Sequence, residues 1–240
     1  MLAAVEPAVE PLGDRALVVR VPGRDLLNDW RVMAGIAECV QAARREWIVD
    51  VVAAYETVTI VYDPMRLAGL FPEERLPYER AAAEVLQILA VESAQPAAEA
   101  RLIDIPVCYG GIYGPDLRES AARSELSEEH FIERHASGSY IVTMIGFMPG
   151  FPYLTGLPPQ LAQPRKAAPR SRVPAGSVGI AGSQTGVYPL ESPGGWQLIG
   201  RTPLKLFDYR RESPSLLQAG DRVRFVPIDG KRMADLEGSR

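Results

Sequence analysis

Gly146-Phe147-Met148-Pro149-Gly150-Phe151-Pro152-Tyr153-Leu154 opens the stretch that organises this chain, and Pro193-Gly194-Gly195-Trp196-Gln197-Leu198-Ile199-Gly200-Arg201-Thr202 closes it. Glycine permits positive φ and close backbone approach, and proline holds φ at about −65°. A long run rich in both, interleaved with aromatics, specifies a rigid, turn-rich surface and not a flexible linker. Its charge is one-sided. Between Arg134 and Leu190 there is no Asp or Glu, while Arg134, Arg165, Lys166, Arg170 and Arg172 are cationic. In a chain of formal net charge −4, such a segment sets up a local field that favours an anionic ligand or an acidic partner surface.

The 240 residues, 47% of them hydrophobic and 23% charged, suffice for one large domain or two small ones. No apolar run reaches the roughly 18 residues of a membrane span. Met1–Asp14 carries three acids and no Lys or Arg, unlike a signal peptide, which sets the expectation of a cytoplasmic protein. Cys39 and Cys108 lie far apart, so neither a C-x-x-C redox pair nor a cysteine metal site is expected, and both read as structural. The acidic overall balance argues against nucleic acid.

From the N-terminus, Ala16–Val21 reads as a strand ended by Pro22-Gly23. Leu26, Trp30, Met33, Ala37 and Val40 mark one face of a helix with Asp25 as its N-cap. Residues 47–54 and 57–62 read as strands joined by a turn near Tyr55-Glu56 and stopped by Asp63-Pro64. A second helix spans Pro77 to Ser93. This predicts a small α+β domain, residues 1–95, of order strand, helix, strand, strand, helix. Ala94–Ala98 is the candidate linker.

Residues 96–240 change character to short strands and many turns, as in a barrel or a sandwich. Strands are expected at 102–107, 140–147, 177–181, 187–190, 196–200, 204–207 and 222–226. Pro115 suits a helix N1 position. Ser127 suits the N-cap of a helix through His135, with Glu128 and Glu129 favoured by its dipole. The polar tail from Gly230 is expected to fray.

Gly195 to Thr202 nearly matches the phosphate loop G-x-x-x-x-G-K-[ST]. Arg201 replaces the lysine, the intervening residues are bulky and apolar, and Pro203 follows, so the segment reads as a buried strand. His130 and His135 are five apart, which turns them to different helix faces and argues against a zinc site. His135 suits structural hydrogen bonding, or acid–base work beside the organising stretch. Ser183 lacks the register of a nucleophile elbow. Gln184 and Thr185, beside glycines, suit a carboxylate, an amide or a partner backbone. Arg165, Arg170 and Arg201 each offer a bidentate fork to an anion, or are solvated surface charges. Phe147, Phe151, Tyr153 and Trp196 suit core, pocket wall or interface anchors.

These motifs resemble one family closely. Gly146–Leu154, Pro164-Arg165 through Pro169-Arg170, Val173–Gly182, Gln184–Pro189 and Ser192–Thr202 carry the resemblance, joined by Ile105–Gly111, Gly114–Leu117 and Gly220–Pro227. The family is that of the 5-oxoprolinase B subunit, also called KipI-like or allophanate hydrolase subunit 1. The likeness spans residues 12–228 and is weaker in motif over the N-terminal part. It implies a cyclophilin-like β-barrel at the C-terminal end and a small α+β domain before it. It implies a partner, the KipA-like C subunit, and an assembly with a third, A-type subunit that opens 5-oxo-L-proline to L-glutamate using ATP, with no cofactor bound by this chain alone. Two other family roles are inhibition of a sporulation histidine kinase and part of a urea carboxylase-type carboxyltransferase, whose biotin would come from another chain. On the oxoprolinase reading, Arg165, Arg170 and Arg201 pair with the substrate carboxylate or phosphate. Gln184, Thr185 and the Gly194-Gly195 backbone orient the lactam. Tyr153, Tyr188 or His135 transfers a proton. Phe147, Phe151 and Trp196 are expected at the partner interface.

Overall fold

The structure is a computed structural model, and it describes residues 7–21, 30–54, 56–70, 76–92 and 100–238. The chain divides into two compact units, Met1–Glu99 and Ala100–Arg240. The expected Asp25 cap, the Pro22-Gly23 stop, the Tyr55 turn residue and the Ala94–Ala98 linker lie outside the described residues.

The first unit runs β1 (Ala8–Pro11), β2 (Ala16–Arg20), α1 (Trp30–Ala42), β3 (Ile48–Ala53), β4 (Thr57–Tyr62), α2 (Pro64–Leu70) and α3 (Pro77–Glu92). Its strands form an antiparallel sheet of order β1-β2-β4-β3. Alternation along β4 buries Val58, Ile60 and Tyr62, and alternation along β2 buries Leu17 and Val19. These side chains pack on Met33, Ile36 and Val40 of α1 and on Ala81, Val85 and Ile88 of α3. Two elements exceed the expected order, β1 and α2. Asp63-Pro64 does end β4, but it also starts a helix. The Asp63 carboxylate accepts the N–H groups of Met65 and Arg66 at 3.0 and 3.2 Å, and Pro64 takes the first helical position, where it gives up no hydrogen bond.

The second unit contains β5 (Leu102–Tyr109), α4 (Leu117–Arg123), α5 (Glu128–Ala136), β6 (Tyr140–Ile145), β7 (Pro152–Thr155), β8 (Arg170–Val173), β9 (Ser177–Ala181), β10 (Gln184–Val187), β11 (Ser192–Gly194), β12 (Gln197–Arg201), β13 (Arg222–Ile228) and α6 (Gly230–Gly238). Seven strands close into a barrel of order β10-β7-β6-β13-β5-β12-β9, and β8 and β11 form a separate ribbon. Closure decides between the barrel and sandwich alternatives. The β13–β5 pairing is parallel, and the other pairings are antiparallel. Inward residues of successive strands fill the interior: Ile105, Val107, Val142, Leu154, Val178, Ile180, Val187, Ile199, Val223 and Phe225. Leu117 and Ala121 of α4 and Phe131 of α5 complete this core. Ser127 caps α5, its hydroxyl accepting the His130 N–H at 3.2 Å.

Several expectations change. The strand placed at 187–190 is Gln184–Val187. No strand covers 204–207, where Phe207 makes one bridge to Ser215. Pro115 precedes the cap residue Asp116 and is not at N1. The tail is the helix α6, with Met233 buried, because the Asp229 carboxylate accepts the Arg232 N–H at 2.7 Å and caps it. β7, β8 and β11, of four, four and three residues, are too short to show a period-2 pattern in the sequence. Among the described residues no helix is long and apolar enough to cross a membrane.

Phe225 is the test of the barrel core. Its ring lies 4.6 Å from His135 and 5.0 Å from Tyr140, centroid to centroid. Phe225→Ala is expected to cost about 3–5 kcal/mol, read as an earlier denaturant midpoint for the barrel unit.

Candidate functional site

Strand alternation sorts the candidate residues onto two sides of the barrel wall. Thr185 on β10 points inward and is buried, while its neighbour Gly186 lies on the outer side. His135 reaches the interior from α5 and has no exposed surface. The Thr185 hydroxyl donates to the Gly179 carbonyl at 3.0 Å. His135 Nε2–H therefore donates to Thr185 Oγ1 at 3.1 Å, and Nδ1 accepts the Tyr109 hydroxyl at 2.8 Å. The rings of Tyr109, Tyr140 and Phe225 surround the imidazole. Burial with no carboxylate in hydrogen-bond contact pushes its pKa down to about 3. In this structure His135 and Thr185 are thus core residues, hydrogen-bonded within the barrel and closed off from a ligand at the surface.

On the outer side, glycines make room for aromatics. A Cβ at Gly179 would stand 3.1 Å from Trp196 Cβ, and one at Gly186 would stand 3.0 Å from Phe151 Cζ and 3.1 Å from Trp196 Cζ3. Phe151, Tyr188 and Trp196 pack there with Val173, Ala181 and Leu198, and Tyr153 and Met148 flank them. The rings meet edge to face, Phe151 lying 4.9 Å from Tyr153, 5.2 Å from Tyr188 and 5.5 Å from Trp196. Phe151 and Trp196 are buried in this cluster and are not exposed anchors, because the glycine-flattened wall receives them. Tyr188 is buried too. Burial raises its pKa, partly offset by a hydrogen bond from the Trp196 backbone and by the charges of Arg165 and Arg170. A side chain at Gly194 would collide with the Tyr188 hydroxyl, at 2.5 Å. Gln184 is half-buried and, by alternation, shares the outer side with Gly186.

The segment 164–170 runs along this cluster. Lys166 N–H donates to the Gly195 carbonyl at 2.8 Å, and Gln197 Nε2 donates to the Pro164 carbonyl at 2.9 Å. Arg170 pairs with Gly194 across the β8–β11 ribbon. The structure therefore brings Arg165, Arg170, Tyr188, Gly194 and Gly195 together. Arg201 is elsewhere: it pairs with Glu237 of α6 at 3.1 Å and lies 4.6 Å over the Tyr113 ring. Arg172 pairs with Glu191 at 2.6 Å.

The acid-free segment is not acid-free in space. Asp116, only 4% exposed, accepts Arg170 Nη2 at 2.7 Å and Lys166 Nζ at 3.2 Å on one oxygen. Its other oxygen accepts the Leu198 N–H at 2.7 Å. Burial alone would raise this carboxyl, but those partners together hold it below the ordinary range. Arg165 is exposed and makes no hydrogen bond or ion pair with another described residue, so its fork is open to a ligand. Asp116 is not singled out by the sequence, although Gly114-Pro-Asp-Leu117 is visible there. The signal that points to it is the need for an acid to neutralise the cationic run. Among the described residues no group of His, Cys, Asp or Glu is placed to hold a metal ion.

A family model described as "Carboxyltransferase domain, subdomain C and D" matches residues 7–217. The 5-oxoprolinase B subunit of Bacillus subtilis is 42% identical over 225 residues, covering 93% of each chain. Its namesake in Escherichia coli O157:H7 is 59% identical over 146 residues, 61% of this chain and 67% of that one. The crystal structure of TTHA0988 superposes with a TM-score of 0.75 at 37% identity, covering 90% of this chain, which spans 40% of that longer chain.

Two measurements test this arrangement. An imidazole of pKa about 3 when folded and about 6.5 when unfolded makes the unfolded state bind more protons between those values. Stability is then full above that window and is lost as pH falls, by up to about 1.4 kcal/mol per pH unit. Denaturation at pH 6 and pH 5 should show this slope in the wild type and a flatter one in His135→Gln. Gly186→Ala would bring a Cβ to 2.8 Å from the Pro152 carbonyl oxygen. It is expected to cost about 1–3 kcal/mol and to shift Trp196 fluorescence.

Proposed function

The chain belongs to the carboxyltransferase subdomain C and D family, which includes relatives named as 5-oxoprolinase B subunits, and from that membership we propose that it is the B subunit of an ATP-dependent 5-oxoprolinase, a cytoplasmic assembly completed by an A subunit and the KipA-like C subunit. The observation that carries the site assignment is the open guanidinium of Arg165 beside Tyr188 and the Gly194-Gly195 backbone, on the outer wall of the barrel.

The chemistry demands activation, because the amide of 5-oxo-L-proline is resonance-stabilised and a poor electrophile. Phosphorylation of its oxygen, with ATP as donor on the A subunit, converts that oxygen into a leaving group. Water then adds at the carbon, the C–N bond breaks with a proton going to the nitrogen to leave the acyl phosphate of L-glutamate, and a second water releases phosphate and L-glutamate. The substrate keeps its carboxylate throughout and gains a phosphate, so a site that holds it must be cationic. Arg165 supplies a charge that no other described residue pairs. Arg170 and Lys166 stand behind it, oriented by Asp116. Tyr153, half-buried at the edge of the aromatic cluster, is the proton-transfer candidate nearest the surface, whereas Tyr188 lies beneath it. Arg201 and His135 have no part in this site. This chain binds no cofactor of its own on this reading.

The description of the matching family favours one alternative, carboxyl transfer, for which biotin would arrive on another chain. The two readings separate in one experiment. The purified A and C subunits, with 5-oxo-L-proline and ATP, are expected to form glutamate only when this chain is added. Glutamate formation that does not need it, or activity only with a biotinylated partner and bicarbonate, overturns the proposal. Within the active assembly, Arg165→Ala should raise KM for 5-oxo-L-proline by about 10- to 100-fold, the worth of one charged hydrogen bond. Its melting temperature should stay that of the wild type.

A further inference from the structure

Two loops meet on the surface of the barrel unit, and each exposes an aromatic ring. The first spans Gly146–Phe151. The Gly146 carbonyl accepts the Met148 N–H at 2.8 Å, closing a three-residue turn around Phe147, whose φ is 68°. This is the positive-φ form of the γ-turn, the rarer and strained one. For a bulky residue such a φ is an outlier that persists only where the surroundings impose it. They do so here. Phe151 N–H donates to the Met148 carbonyl at 3.1 Å and Gly146 N–H to the Phe151 carbonyl at 3.1 Å. The Phe147 ring stands edge-on to Phe151 at 5.6 Å. The outcome is a phenyl ring 65% exposed.

The second loop, residues 205–212, touches the first at Gly150, where a Cβ would lie 3.0 Å from Phe207 Cβ. Tyr209, next but one to Phe207, is 79% exposed, with the Arg210 guanidinium 5.9 Å over its ring. Lys205 and Arg210 hold Asp208 at 3.0 and 3.2 Å, and Arg211 donates to the Lys205 carbonyl at 3.3 Å. Lys205, Arg210 and Arg211 outnumber Asp208 and Glu212, so the loop carries surplus positive charge.

Neither the strain at Phe147 nor the exposure of these rings stabilises the chain by itself. Both make sense once the rings are buried. We propose that Phe147 and Tyr209 are paired anchors for a companion protein of the assembly, seating in an apolar pocket rimmed by carboxylates. The proposal rests on the subunit reading above and extends the partner role expected for Phe147 to a second loop. Charge decides the kind of occupant. A second copy of this chain, docked by this face across a twofold axis, would set Lys205, Arg210 and Arg211 against their own equivalents, which is repulsive. An acidic rim complements them.

The experiment measures association of the full-length chain with the purified A and C subunits. Phe147→Gly removes the ring and also releases the strained φ. It is expected to weaken association by at least about 10-fold without lowering the melting temperature. Tyr209→Ala should weaken it as well, again with an unchanged melting temperature. Arg210→Glu combined with Arg211→Glu should slow association and flatten its dependence on salt. Wild-type affinity in Tyr209→Ala and in the charge-reversed variant overturns the inference, even if Phe147→Gly proves to fold poorly. Self-association of the chain that these substitutions abolish overturns it too. A wild-type chain that associates with neither protein removes the subunit reading itself, and the inference with it.

Discussion

The Asp116 carboxylate is the constraint on which the barrel unit's outer face depends. A buried carboxylate costs several kcal/mol unless paired, and the pairing must satisfy both oxygens. Asp116 meets that condition from three directions: the Leu198 N–H on β12, Arg170 on β8 and Lys166 on the preceding segment. Its own N–H donates to the Leu198 carbonyl at 2.9 Å, so the residue clamps the start of α4 to β12 from both sides. The segment 164–170 is thereby fixed along Gly194-Gly195, and Arg165 makes no ion pair with another described residue.

The barrel wall separates two kinds of work within a residue or two. Inside, Tyr109, His135 and Thr185 form a hydrogen-bonded chain that ends on a backbone carbonyl. It satisfies polar groups that would otherwise be unfavourable to bury. Outside, Gly179 and Gly186 have no side chain, so Phe151 and Trp196 lie against the strands themselves. A period-2 strand necessarily offers both faces. That is why adjacent residues of β10, Thr185 and Gly186, serve the core and the candidate site respectively.

Most of the cations near this face are already matched. Arg170 and Lys166 are tied to Asp116 and Arg172 to Glu191; Arg201, away from this face, is tied to Glu237. What faces outward is a limited positive field set beside aromatic surface. Such a field suits an anion that must be held and then released, and it suits docking steered by charge.

Much of this was legible in the chain itself. The β-branched and aromatic run 57–62 and the alternating run Arg222–Val226 identified their strands, the period of Met33, Ala37 and Val40 identified α1, and Ser127 identified the start of α5. Long glycine- and proline-bearing motifs identified the family. These signals are local, because each depends on the chemistry of a few consecutive residues. Tertiary structure decided the rest. It closed the strands into a barrel, sent His135 and Thr185 inward, and supplied Asp116, Glu191 and Glu237 as counter-charges from outside the cationic run. The reason is that burial and ion pairing depend on which segments meet in space, and Asp116 is separated from Arg170 by more than fifty residues of chain. Sequence can show that an arginine is present; only the fold determines whether its charge is already neutralised.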